Sequence, residues 1–223
     1  MPNHYSDHED ILNATSHVIP LVFMIANLPM FFSYAKTINN ISSFGLYLSS
    51  IFCLFLFSAL YHFSPKMKPY LFFKNLFLVL DHFAMNFYMV AVHYFFLDYA
   101  VSEQTTTFKF VILILCIGNF LSGFFLSKSQ KKIFLAAQIT FSILGSLYIG
   151  YRCFDLVMNF KNPHITEYFL LTHFGNYATY ILAAFFYVFS SKKYMHAMFH
   201  LFVTIGIFIT LHNFISMGIG FNG

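Results

Sequence analysis

The chain of 223 residues is 59% hydrophobic and only 9% charged, with a mean hydropathy of +0.69. A soluble domain carries roughly 25% charged residues, so this composition excludes an ordinary soluble fold and predicts an integral membrane protein. The net charge of +4 is low and gives no reason to expect a nucleic-acid partner. The polar, acidic N-terminus lacks the basic start of a secretory signal, and three isolated cysteines predict neither a disulfide framework nor a cysteine-based zinc site.

Seven stretches are long and apolar enough to cross a bilayer, which takes about 20 helical residues. In chain order, these spans cover residues 14–34, 44–63, 73–97, 108–126, 133–152, 168–190 and 194–217. The short segments between them contain prolines, asparagines, serines and most of the charge, which is typical of turns. The sequence therefore predicts an all-α membrane protein in which residues 1–223 form a single seven-helix transmembrane domain.

The lysines predict the orientation of these helices. Most of them follow the second, fourth and sixth spans, whereas acidic residues dilute the positive charge on the other side. Because cytoplasmic loops carry the excess of lysine and arginine, the N-terminus is predicted to be cytoplasmic and the C-terminus to lie outside. The short loops are typical of a bacterial protein, which would place the chain in the inner cell membrane as a multi-pass protein.

Polar side chains recur at one end of three spans. Span seven opens with His196 and His200, and span two ends with Ser58 and His62. Each pair is four residues apart, so its members share a helix face. Asp81 lies near the start of span three and is the only acidic residue well inside a predicted span. All five belong to ends predicted to be cytoplasmic, and we therefore expect them at similar depth.

A metal site would explain this set, because a polar group at membrane depth must be paired or face a cavity. Neutral imidazole is the commonest metal ligand, and three histidines leave one position of a tetrahedral zinc ion open for water. This is the arrangement of catalytic zinc sites. We expect Asp81 to orient or deprotonate that water, and Ser58 to orient it or to donate a hydrogen bond to a developing negative charge.

Each residue also has a plainer interpretation when it is taken alone. His62 is typical of an interfacial histidine that reaches water, and Ser58 of a serine bonded to the carbonyl oxygen four residues earlier. Asp81 could pair with Lys74 or His82 as a structural contact. Only the shared depth of the five residues favours the metal site.

The same segments resemble a known family. SALYH, then LDH, then HAMFHLFV resemble the haemolysin III branch of the progestin and adipoQ receptor family. Glu9, Asn13, Ser16 and His17 resemble the pattern E-x-x-x-N-x-x-S/T-H at the start of that family's first span. We also expect His17 to support a metal ligand, because it lies on the cytoplasmic side of span one.

The resemblance implies a seven-helix bundle with zinc bound by His62, His196 and His200. It also implies that Asp81 contacts the water on the zinc and that Ser58 lies near the metal. One departure concerns span three, where the family has a run like I-A-G-T-Y-T-P and this chain has FYMVAVHYFFL. The bending glycine and proline are absent, and His93 is expected to be a hydrogen-bonded interior residue rather than a ligand.

The wider superfamily includes adiponectin receptors and alkaline ceramidases, so the resemblance implies hydrolysis of a lipid amide or ester bond. The substrate would be a membrane lipid or another amphipathic small molecule, and the role would lie in membrane-lipid or membrane-energy homeostasis. The alternative is a non-enzymatic membrane sensor or receptor-like regulator in which zinc is structural. A pore-forming cytolysin is less favoured, because no span shows the ladder of polar residues that lines a water-filled pathway.

Overall fold

A computed structural model describes residues 7–35, 41–64, 68–100 and 163–220, with isolated residues between 109 and 151. Every regular element in these ranges is helical: α1 (Asp7–Ala26), α2 (Leu28–Ala35), α3 (Ile41–Phe63), a 3-10 turn (Lys68–Tyr70), α4 (Leu71–Ala100), α5 (Pro163–Val188) and α6 (Met195–Gly220). The all-α prediction is therefore confirmed for these ranges. More than half of predicted span four and nearly all of span five fall outside the described residues, so the count of seven helices and the orientation of the termini stay predictions.

Three of these helices are long and apolar enough to cross a membrane, over Ile41–Phe63, Leu71–Phe95 and Met195–Asn213. They correspond to predicted spans two, three and seven. Helices α1 and α2 together form a fourth candidate. Helix α5 has sufficient length, but polar residues such as Asn176 and Thr179 make it less apolar. Large apolar side chains are exposed along all these helices, which in a bilayer places them against lipid.

Predicted span one differs from the structure at its start and in its middle. Helix α1 begins at Asp7, seven residues before the predicted start, and a bend of 58° separates it from α2. Pro29 explains the bend, because it cannot donate a backbone hydrogen bond to Ile25 and its ring clashes with that carbonyl group. At the break, the Asn27 side chain donates to the carbonyl oxygen of Phe23 at 2.8 Å.

Helix α1 packs against both α3 and α6, while α3 packs against α4 and α5 against α6. The buried core contains aromatic and aliphatic side chains from α1 to α4 and α6, among them Met24, Phe31, Tyr47, Ile51, Phe95 and Ile207. Because lipid tails are as apolar as these side chains, close packing rather than transfer from water stabilises the contacts. The rings of Tyr47 and Phe95, with centroids 5.8 Å apart, join α3 to α4 in this way.

Helix α4 runs without interruption for 30 residues. At 1.5 Å per residue it is about 45 Å long, which exceeds the roughly 30 Å hydrocarbon core of a bilayer. The absence of glycine and proline from its second half accounts for this continuity. His93 lies in that half, is buried, and donates from Nδ1 to the carbonyl oxygen of Met89 at 2.6 Å. The expectation that His93 is a hydrogen-bonded interior residue is confirmed.

Helices α5 and α6 approach each other closely at Gly206. A Cβ atom added there would lie 2.6 Å from Oγ1 of Thr179 and 2.9 Å from ring atoms of Tyr180. The Tyr180 hydroxyl is hydrogen-bonded to the Tyr88 hydroxyl of α4, so its ring cannot move without breaking that bond. Only glycine fits this crossing without displacing a neighbour.

We predict that Gly206→Ala lowers the free energy of unfolding by about 1–3 kcal/mol, the usual cost of overpacking a tight site. Gly45→Ala is the matched control, because a Cβ at Gly45 meets nothing within 4 Å. That change should be neutral or slightly stabilising, since alanine has the higher helix propensity. Thermal unfolding in detergent measures both. Equal melting temperatures for the two variants would contradict the close approach.

Candidate metal centre

Three histidines from two helices converge on the same point. One nitrogen each from His62, His196 and His200 lies within 4.8 Å of the other two. The ring centroids are 5.3 Å apart for His62 and His196, 5.1 Å for His62 and His200, and 4.4 Å for His196 and His200. Nitrogen ligands about 2.0–2.1 Å from a tetrahedral zinc ion lie about 3.4 Å apart, so small side-chain rotations would close a metal site.

The helix ends bring these rings together. His62 lies in the last turn of α3, and His196 and His200 lie in the first two turns of α6. Tyr194, immediately before α6, has a φ of 64° in the left-handed region. This conformation costs a non-glycine residue about 1–2 kcal/mol. Its backbone N–H donates to Oε1 of Glu9 at 3.0 Å, so α1 stabilises the start of the helix that contains two of the histidines.

A cavity of about 360 Å³ lies beside the histidines. Ser58, Asp81, His196 and His200 all line it, and Asp81 interacts with both Ser58 and His62. The structure thus brings the five residues expected at one depth to one place. Asp81 also interacts with His82, the partner suggested by its plainer interpretation. The rest of the wall is mostly apolar or aromatic: Leu54, Tyr61, Leu78, Met85, Tyr187, Phe199 and Val203.

A family model described as haemolysin-III related matches residues 5–211, which is most of the chain. The chain belongs to the haemolysin-III related family. The match contains every residue of the candidate site and confirms the resemblance seen in the sequence. Membership and the apolar helices together establish a membrane protein.

His17 lies beside the candidate site of this haemolysin-III related protein. Its ring centroid is 4.1 Å from that of His200, and the side chain lines the same cavity. The two rings are tilted by 45° against each other, and the buried Nδ1 of His17 has no hydrogen-bond partner among the described residues. His17 and Asn13 of α1 are thus buried against the helices that contain the candidate ligands.

Asp10 is the residue that sequence reasoning missed. The N-terminal segment looked like a polar tail, but Asp10 is in α1, is 7% exposed and lies 3.2 Å from Nδ1 of His62 through Oδ1. The spacing of these polar residues did indicate that they belong to the helix. Asn13 follows Asp10 by three residues and His17 follows Asn13 by four, so all three share one helix face. Extending the helical pattern back beyond residue 14 would have revealed it.

The donor set fits a divalent transition metal. Three imidazole nitrogens suit zinc, copper, nickel and iron, and the neighbouring cavity leaves space for a further ligand. Lys74 in the first turn of α4 donates to the carbonyl oxygens of Tyr61 and Ser64 at 3.4 and 3.0 Å. These bonds cap the helix that contains His62.

Proposed function

We propose that this haemolysin-III related protein is a zinc-dependent hydrolase that cleaves an amide or ester bond of a membrane lipid or similar amphipathic molecule. The observation that carries the proposal is a cluster of three histidines beside a cavity that also presents a carboxylate and a hydroxyl. A binding site without chemistry would not need that combination. The proposed setting is membrane-lipid or membrane-energy homeostasis in the inner cell membrane.

Each residue has a distinct role in the proposed reaction. His62, His196 and His200 would bind the zinc ion, which when present supplies Lewis-acid activation of water and of the substrate carbonyl. Asp81 orients the attacking water and accepts its proton. Ser58 interacts with Asp81 and is placed to orient its carboxylate or to donate a hydrogen bond to the negative charge that develops on the carbonyl oxygen.

The cavity supports an amphipathic substrate. Its wall combines the polar groups of the site with apolar and aromatic side chains, and about 360 Å³ is at the lower end of the range for ligand sites. That space accommodates the reacting bond and its neighbouring atoms, while the apolar wall suits the first carbons of an acyl chain.

A turnover assay tests the proposal. Zinc-loaded and chelator-treated protein would be incubated in mixed micelles with defined lipid amides and lipid esters, and the released fatty acid measured by mass spectrometry. We expect release from at least one class, lost on chelation and restored by zinc. A folded, zinc-bound protein that releases no fatty acid from any of them would contradict the hydrolase.

A structural metal in a sensor or regulator is the second candidate. This candidate is favoured because the proposed ligands come from two helices: His62 belongs to α3, and His196 and His200 belong to α6. Both helices pack on α1. A metal ion would therefore link two elements and stabilise their arrangement. In this case chelation lowers the melting temperature, but no lipid is consumed whether or not zinc is bound.

A further inference from the structure

Two of the three candidate metal ligands, His62 and His200, are hydrogen-bonded to α1 through Nδ1. We propose that Asp10 and Ser16 are positioning residues that fix the tautomers of His62 and His200, so that each ring presents Nε2 to the metal. This inference rests on the proposed metal centre, but it concerns residues outside the ligand set.

The first contact joins Asp10 to His62. Oδ1 of Asp10 lies 3.2 Å from Nδ1 of His62, and the two side chains are 10% and 0% exposed. When the Asp10 carboxylate is ionised it can only accept hydrogen bonds, so Nδ1 of His62 then carries the hydrogen and donates it. In a neutral imidazole the lone pair is then on Nε2, which becomes the nitrogen that binds the metal.

The second contact joins Ser16 to His200 and has the same consequence. The Ser16 hydroxyl has one hydrogen, which it donates to the carbonyl oxygen of Asn13 at 2.6 Å. Its oxygen, 3.2 Å from Nδ1 of His200, must therefore act as the acceptor. The Asn13 carbonyl oxygen lies 3.4 Å from the same nitrogen and is a second acceptor. Nδ1 of His200 thus carries its hydrogen, and Nε2 is left for the metal.

Both contacts come from one helix, which also packs against the two helices that contain the ligands. Asp10 lies outside the set of residues whose ligand atoms converge, and with Nδ1 of His62 bonded to Asp10 the metal would bind at the opposite edge of that ring. Carboxylates and hydroxyls in this position orient a metal-binding histidine and increase its basicity. The polar face of α1 therefore acts on the metal through the two histidines.

The test measures zinc affinity of the purified full-length protein in detergent by competition with a chromophoric chelator. Asp10→Ala should weaken zinc binding by about 10–100-fold, the usual effect of removing such a partner. Asp10→Asn keeps an acceptor oxygen without its charge and should retain part of the affinity. Ser16→Ala removes a neutral hydrogen bond and should cost about threefold to tenfold.

Matched controls lie on the same bent pair of helices. Asp7→Ala removes an exposed carboxylate from the first turn of α1, and Ser33→Ala removes a hydroxyl that bonds the carbonyl oxygen of Pro29 in α2. Both should bind zinc as tightly as the parent. If Asp10 positions His62, Asp10→Ala should also change the visible absorption spectrum of the Co²⁺-substituted protein. A loss of packing elsewhere would leave that spectrum unaltered.

The outcomes separate the inference from the proposed function. If the parent binds zinc and Asp10→Ala and Ser16→Ala bind it equally well, the positioning role is wrong and the metal centre stands. If the parent binds no metal, both are wrong. Should Asp10→Ala fail to fold, the isosteric Asp10→Asn decides, because unchanged affinity and an unchanged Co²⁺ spectrum in that variant would overturn the role of Asp10.

Discussion

Replacing both His196 and His200 by alanine should reduce the metal content of the purified protein from about one zinc ion per chain to none. The two rings supply two of the three nitrogens that converge within 4.8 Å, and His62 alone cannot retain a divalent ion. Elemental analysis of protein purified without chelator, with circular dichroism to establish that the helices are intact, makes the measurement.

His8→Ala is the matched control for this loss, because His8 is an exposed histidine at the start of α1 and lies outside the cluster. It should keep the full metal content. Metal retained by the double variant would mean that other residues bind it. Metal absent from the folded parent as well would remove the hydrolytic mechanism and leave the histidines as contacts within the bundle.

Asp81→Ala should abolish lipid hydrolysis while leaving zinc bound. The carboxylate is beside Ser58 and the histidine cluster but outside the set whose nitrogens converge, so its removal takes away the proposed proton acceptor and spares the proposed ligands. Loss of a general base typically reduces the rate by 10²–10⁴-fold. Fatty-acid release and zinc content should be measured on the same preparation, together with the isosteric Asp81→Asn.

Asn75→Ala provides the comparison on the same helix, since Asn75 is an exposed polar residue of α4 away from the cavity. Its turnover should match that of the parent. Full turnover in Asp81→Asn would show that Asp81 is not the base. Loss of zinc in that variant would instead mean that the carboxylate acts by maintaining the metal site.

The membrane helices could be predicted from hydropathy, because an apolar run of bilayer length has few alternatives to a spanning helix. The predicted spans 44–63 and 194–217 agree with α3 and α6 to within a few residues. The bend after Ala26 was missed, although Pro29 indicates it, because hydropathy does not distinguish a straight span from a broken one.

The depth of the polar residues could be predicted as well. Helix ends on the same side of a bilayer lie at similar depth. This reasoning alone predicted that Ser58, His62 and Asp81 lie at the depth of the histidines of the last span. Which side chain contacts which could not be predicted, because helix rotation and packing decide it. Asp10 shows the difference, since its contact with His62 depends on the packing of α1 against α3 and not on any property of its own segment.

The bonds between α1 and α6 also constrain the order of events during biosynthesis. Glu9 and Ser16 are made about 185 residues before their partners Tyr194 and His200, which at 5–20 residues per second is a delay of roughly 10–40 s. A polar face without partners is costly in hydrocarbon, so during this interval it must remain in contact with water or with the insertion machinery. The proposed metal site can therefore be completed only after the ribosome has released α6, and a nascent chain stalled before that point would be open to quality-control proteolysis.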